Sequence, residues 1–159
     1  ITPKSVLDFQ EQRADIASTL DFIITPSTSS VDGTNFQDWT VRNAKWALSN
    51  KKRKDLKLFA SLQAWDRASM HRILNALLSL PFDGFALGGM VPRIRNPKII
   101  FELVKAFREL ELDRPLHVFG LGSPRLVKSL FDYGVSSVDS SNNVQQAVSK
   151  RYLVPTNGQ

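Results

Sequence analysis

Two carboxylates, one carboxamide and two glycine-rich loops carry the chemistry available to this 159-residue chain. Asp21 falls in a β-prone run, Thr19-Leu20-Asp21-Phe22-Ile23-Ile24, and Gln63 lies near the end of another, residues 56–64. Gly88-Gly89-Met90 follow a third such run, Phe119-Gly120-Leu121-Gly122 close a fourth, and Asp139 closes a fifth. A carboxylate only accepts hydrogen bonds, whereas a carboxamide both donates and accepts. Asp21 and Gln63 together can therefore read the donor–acceptor edge of a purine-like base. Glycines at 88 and 89 let backbone groups come close to the same flat ligand. A second carboxylate, Asp139, can then act as nucleophile at a sugar carbon, as in glycosyl-transferring enzymes. Each residue also has a plainer use. Asp139 can cap the helix that follows it, Asp21 can be an exposed strand residue, and Gln63 can bond to backbone.

These residues converge only if the chain presents them on one edge. Its periodicity predicts that. Helical spacing covers residues 5–17, 36–49, 66–80, 97–112, 123–133 and 142–149, and short β-branched or aromatic runs cover 19–24, 56–64, 84–87, 116–119 and 135–138. Residues 27–35 read as a polar loop with a turn at Asp32-Gly33. Asp66 precedes its helix as a cap, Ser123-Pro124 start another, and Gly134 stands where that helix stops. His71 lies off the apolar stripe of its helix and reads as a surface histidine. Strands alternating with helices predict an α/β fold with parallel strands and right-handed crossovers. In such a fold the carboxyl ends of the strands form the ligand-binding face. Residues 1–149 are expected to form one domain, with 150–159 as a tail. Gly120-Leu121-Gly122 is only part of a dinucleotide-binding fingerprint.

Composition limits the rest. Hydrophobic residues make up 42% and charged residues 23%, as in ordinary globular proteins. No apolar run reaches about 18 residues, so no membrane span and a cytoplasmic location are expected. Without cysteine there is no disulfide or thiolate metal site in the chain. The net charge of +6 suits a polyanionic partner. The basic run 51–54 reads as a solvated helix end, and the basic loop 92–96 follows the glycine pair. The chain starts at Ile1-Thr2-Pro3-Lys4, with neither signal peptide nor initiator methionine, and reads as a piece of something longer.

Three stretches resemble the tRNA-guanine transglycosylases. They are Asp83-Gly84-Phe85-Ala86-Leu87-Gly88-Gly89-Met90, Val118-Phe119-Gly120-Leu121-Gly122-Ser123-Pro124 and Gly134-Val135-Ser136-Ser137-Val138-Asp139-Ser140-Ser141. The ending Arg151-Tyr152-Leu153-Val154-Pro155-Thr156 is similar to the archaeal-type branch, and the DNA-modifying 7-deazaguanine enzymes are similar too. The resemblance implies the last five strands of a TIM (β/α)8 barrel. It implies base exchange, in which guanine leaves tRNA or DNA and a 7-deazaguanine base enters. Asp139 falls on the nucleophilic aspartate. Asp21, Gln63, Gly88, Gly89, Met90, Phe119 and Gly120 fall on the base-binding positions. Arg93, Arg95 and Lys128 are expected nucleic-acid contacts.

The departures are equally specific. The family's earlier aspartate, in an Asp-Ser-Gly-Gly-Phe motif, has no counterpart here. A whole barrel takes about 250 residues. The family's zinc ligands are absent, so no cofactor is expected within this chain. A missing N-terminal half-barrel or a homodimer is the implied partner. Two rival readings remain open: a non-catalytic barrel piece or accessory subunit that binds nucleic acid or a partner chain, and a barrel enzyme that holds phosphate at Gly120-Leu121-Gly122.

Overall fold

A computed structural model describes residues 1–111 and 113–151. In chain order the elements are α1 (Pro3–Arg13), β1 (Ile16–Ser18), α2 (Ser30–Asn50), β2 (Lys57–Leu62), α3 (Arg67–Leu77), β3 (Gly84–Leu87), α4 (Pro97–Arg108), β4 (Leu116–Val118), α5 (Pro124–Asp132), β5 (Ser137–Val138) and α6 (Asn142–Val148), with a 3₁₀ turn at Val91–Arg93. All neighbouring strands pair in parallel, in the order β1-β2-β3-β4-β5. The sheet curls into a half-barrel with the helices outside. The expected α/β class, and a partial (β/α) barrel, are therefore what the chain forms.

The pleat sorts the side chains into two sets. Leu58, Ala60, Leu62, Phe85, Leu87, Leu116 and Val118 point outward into the core, where they meet Met70, Ile73, Leu74 and Leu77 of α3 and Ile100, Leu103, Val104 and Phe107 of α4. Phe59, Ala86, His117 and Ser137 point the other way and line a concavity of about 400 Å³. The core is thickest behind β2 and β3. It thins toward both edges: α1 buries only Leu7, α5 only Leu130 and α6 nothing. The outer edges of β1 and β5 have no partner strand among the described residues, and Ile16 on the β1 edge is 62% exposed.

Two predicted boundaries are corrected. The helix expected over 5–17 stops at Arg13, the strand expected at 19–24 is instead β1 at Ile16–Ser18, and Asp21 lies in the loop after it. Thr19 explains the early exit. Its N–H still donates to Phe59 O at 3.1 Å, but its Oγ1 accepts from Ser61 N at 3.0 Å and its carbonyl from Ser61 Oγ at 2.5 Å. Side-chain bonds take over from the ladder, and the chain turns toward α2, where Phe22 N donates to Thr40 Oγ1 at 3.0 Å. Phe22 then packs among Phe36 and Trp39, so the aromatic content of the run serves a side-chain cluster. The second correction is the loop expected at 27–35. From Ser30 onward it is helix, capped by Ser29, whose Oγ accepts from Asp32 N at 3.1 Å. Gly33 lies inside α2, where Trp65 packs against it: a Cβ would sit 3.2 Å from the indole.

Asp66 caps α3 as expected, accepting from Ser69 N at 2.7 Å, and Gly134 ends α5 with φ +87°. The basic run 51–54 sits at the opposite end of the strands from Gln63. Glu11 accepts from Lys52 N and Arg53 N, which fastens α1 to the loop before β2. Of the expected tail, residues 152–159 lie outside the described residues.

Candidate active site at the carboxyl ends of the strands

Registers Leu62↔Leu87, Leu87↔Val118 and Val118↔Val138 end the paired sheet. One residue further, the pleat turns Gln63, Gly88, Phe119 and Asp139 to the inner side at one level. Backbone bonds carry the ladder that far: Gly88 N donates to Leu62 O and Phe119 N to Leu87 O, both at 3.0 Å. The sequence-derived set therefore shares one edge. Gln63 and Asp139 stand three strands apart, on the order of 14 Å along the sheet and less across its curl. That suits a purine nucleoside hydrogen-bonded at its base and approached at its sugar.

Gln63 is fully buried, and its amide orientation follows from its partners. Ile24 N–H donates to Oε1 at 3.0 Å, so Nε2 must face Asp21, whose Oδ2 accepts at 2.5 Å. Behind it, Gln37 Nε2 donates to Gln63 O at 2.7 Å. Burial pushes the Asp21 carboxyl above its ordinary pKa, and the bond from Gln63 offsets only part of that. The pair lies against bare backbone. A Cβ on Gly88 would stand 2.3 Å from Gln63 Nε2 and 2.9 Å from Asp21 Oδ2. Gly89 has φ +72°, and a Cβ there would meet Gln63 Oε1 at 2.8 Å and Ile24 O at 2.9 Å. Gly88→Ala is accordingly expected to push the amide off Asp21. Overpacking of this kind costs about 1–3 kcal/mol of stability, and affinity for a purine base should fall with it, as calorimetry would show. Met90, expected beside the base, buries its side chain in the core, so only its backbone belongs to the loop.

Asp139 occupies the other end. Its side chain is 57% exposed, which leaves a face open to a ligand. Gly120 N donates to Oδ1 at 2.7 Å, and His117 Nε2 lies 3.3 Å from the same oxygen. An ionised carboxylate only accepts, so Nε2 carries the proton of that contact. Ser137 Oγ lies 2.8 Å from His117 Nδ1, and the Phe119 ring stands edge-on to the imidazole at 4.6 Å. Asp139 does not cap α6, whose N-cap is Ser141. Gly120 has φ +77°, the conformation in which its N–H reaches the carboxylate.

Sequence reading passed over His117 and Ser137. Strict alternation held the signal: 117 with 119, and 137 with 139, share the inner face. The expected nucleic-acid contacts are placed unevenly. Arg95 is exposed, and Lys128 is exposed on α5, 3.3 Å from Asp132. Arg93 is 5% exposed, with Nη1 donating to Ile24 O at 2.8 Å and to Gly89 O. Beside Gly122 the space is taken by Ser140 and Asn142. No group of three His, Cys, Asp or Glu residues that could hold a metal occurs among the described residues. No described helix is long and apolar enough to cross a membrane.

A parallel half-barrel whose strand ends present a buried carboxylate–amide pair, bare glycine backbone and a second, exposed carboxylate is the ligand-binding side of a (β/α) barrel. The family model for queuine tRNA-ribosyltransferase (TGT) matches residues 1–159, and the chain belongs to that family. It is 28% identical to a DNA-guanine transglycosylase of Salmonella montevideo over 115 residues, 72% of this chain and 27% of that one. It is 25% identical to the tRNA-guanine(15) transglycosylase of Methanococcus aeolicus over 162 residues, 96% of this chain and 24% of the relative. A queuine tRNA-ribosyltransferase of Helicobacter pylori strain G27 is 28% identical over 146 residues, 87% and 38% of the two chains. The chain thus spans about a quarter of the length of the first two relatives.

Proposed function

We propose that this chain supplies the carboxyl-terminal part of the barrel in a nucleic-acid guanine transglycosylase, with Asp139 as nucleophile. The supporting observation is the single inner level that joins the Asp21–Gln63 pair, bare backbone at Gly88 and the exposed Asp139 carboxylate. In this reading Asp21 and Gln63 hold the edge of guanine, Gly88-Gly89-Met90 meet it with backbone, and Phe119 and Gly120 border it. Asp139 attacks C1′ of the ribose or deoxyribose. A C–O bond to the carboxylate forms, the glycosidic C–N bond breaks, and guanine leaves with the electron pair and takes up a proton. An incoming 7-deazaguanine loses its ring N–H proton, its nitrogen displaces Asp139, and the carboxylate is restored. Protons and bonds balance over the two steps. The edges of β1 and β5 are where further strands would pair to close the barrel, from the same polypeptide or a second copy.

The relatives' names include both tRNA and DNA. The test is incorporation of labelled guanine into each polynucleotide by the full-length protein. Incorporation into one and not the other assigns the substrate. None in either overturns the reading and leaves a non-catalytic barrel piece.

A further inference from the structure

Beyond the Gly88-Gly89 loop a second cleft, of about 430 Å³, opens between the chain after β1, Trp65 and the start of α4. Its polar lining includes Thr25, Thr28, Ser29, Arg93, Arg95 and Asn96, and no carboxylate lines it. Asp32, one helical turn from Ser29, is engaged by the Ser29 hydroxyl at 2.7 Å and lies outside the lining.

Arg93 makes the cleft unusual. The residue is 5% exposed, yet among the described residues only its Nη1 is bound, to the carbonyls of Ile24 and Gly89. Its Nε and Nη2 form no hydrogen bond with a described residue, and no described carboxylate lies within ion-pair distance of Arg93 or Arg95. Burial draws the Arg93 pKa down, with no acid pulling it back. A buried guanidinium without a counter-charge is costly, and an entering anion recovers that cost. Two forked cations and adjacent hydroxyls match the oxygens of a phosphate. The volume exceeds that of one phosphate ion and leaves room for a flanking sugar. Gly89 joins the two sites, since a Cβ there would meet Gln63 and its carbonyl accepts from Arg93.

We infer that this cleft binds a backbone phosphate of the polynucleotide whose base is exchanged, an assignment that rests on the base-exchange reading. In the full-length protein, Arg95→Gln and Arg93→Lys should each weaken binding of tRNA or a single-stranded DNA oligonucleotide about tenfold at low salt. Arg95→Gln should also lower the slope of log affinity against log salt by about 1, whereas Arg93→Lys keeps its charge and should leave the slope nearly unchanged. Affinity for free guanine should not change in Arg95→Gln. Arg95 is exposed, so Arg95→Gln tests the cleft even if Arg93→Lys fails to fold. Inorganic phosphate, followed by ³¹P line width, should compete with the oligonucleotide in the wild type and not in Arg95→Gln. Unchanged oligonucleotide affinity and salt slope in Arg95→Gln overturn the inference. Phosphate binding that Arg95→Gln abolishes without altering the slope gives the cleft to a free phosphate and overturns it equally. Absence of guanine exchange with the Arg95 response intact removes the base-exchange reading and leaves the phosphate cleft standing.

Discussion

Asp139→Asn in the full-length protein is expected to abolish covalent trapping of the polynucleotide and to lower base exchange by at least about 10³-fold. The amide has nearly the same shape, and its oxygen still accepts the Gly120 N–H that holds Asp139 at 2.7 Å. An amide is, however, no nucleophile toward C1′. The side chain is 57% exposed, so stability should move by no more than about 0.5 kcal/mol. The loss is therefore chemical and separable from misfolding. A denaturing gel read after incubation with substrate shows the trapped species as a shifted band. Wild-type protein should give the band and Asp139→Asn none, at equal melting temperature. A band that persists in the variant would remove the nucleophile assignment, and the nearest other inner-face groups, His117 and Ser137, would become the candidates.

How much of this could be read from the chain depended on whether a residue's role was local. The α/β alternation and the level of Gln63, Gly88, Phe119 and Asp139 follow from period and strand ends, so they were legible. The family resemblance added the roles expected of them, and the matching family model bears out the resemblance. Residues 19–24 were misread because β-branched and aromatic content signals a half-buried surface and not a ladder. Here that surface is the Phe22–Phe36–Trp39 cluster, and the ladder ends on the hydroxyl of Thr19. The start of α2 was missed because Ser, Asp and Gly favour turns as well as caps. Which use wins is decided by Trp65 packing against Gly33, 32 residues away in sequence. Arg93 was read as a nucleic-acid contact in a basic loop, and its burial was not foreseen. Its burial depends on the carbonyls of Ile24 and Gly89, a partnership that no local pattern announces. His117 was passed over for a different reason. A histidine in a short apolar strand looks unremarkable until the neighbouring strand sets Asp139 and Ser137 beside it.

Asp21→Asn should pull activity and stability in opposite directions. Burial raises the pKa of Asp21 from its ordinary 3.8, and the Gln63 bond returns only part of that. A carboxyl that binds its proton more tightly when folded makes ionisation costly to the folded state. The cost is present in full above the folded pKa and vanishes as pH falls below the unfolded value of 3.8. Asparagine carries no charge, and its Oδ1 still accepts from Gln63 Nε2. At pH 7 the variant should therefore melt higher than the wild type, and the gap should close as the pH is lowered through the folded pKa toward 3.8. Base recognition should suffer. One accepting oxygen of the pair becomes an NH₂ donor facing the N–H groups of guanine, and a misplaced contact of that kind costs roughly 10- to 100-fold in discrimination. Melting curves at several pH values and guanine titrations measure the two effects on the same samples. A variant that melts lower at neutral pH would show that Asp21 is held ionised by a partner that its contacts with Gln63 do not reveal. One that binds guanine as tightly as the wild type would take Asp21 out of the base site. Such an opposition is what a recognition site built into a core would require: a carboxylate kept for a ligand is a charge that the empty fold would be more stable without.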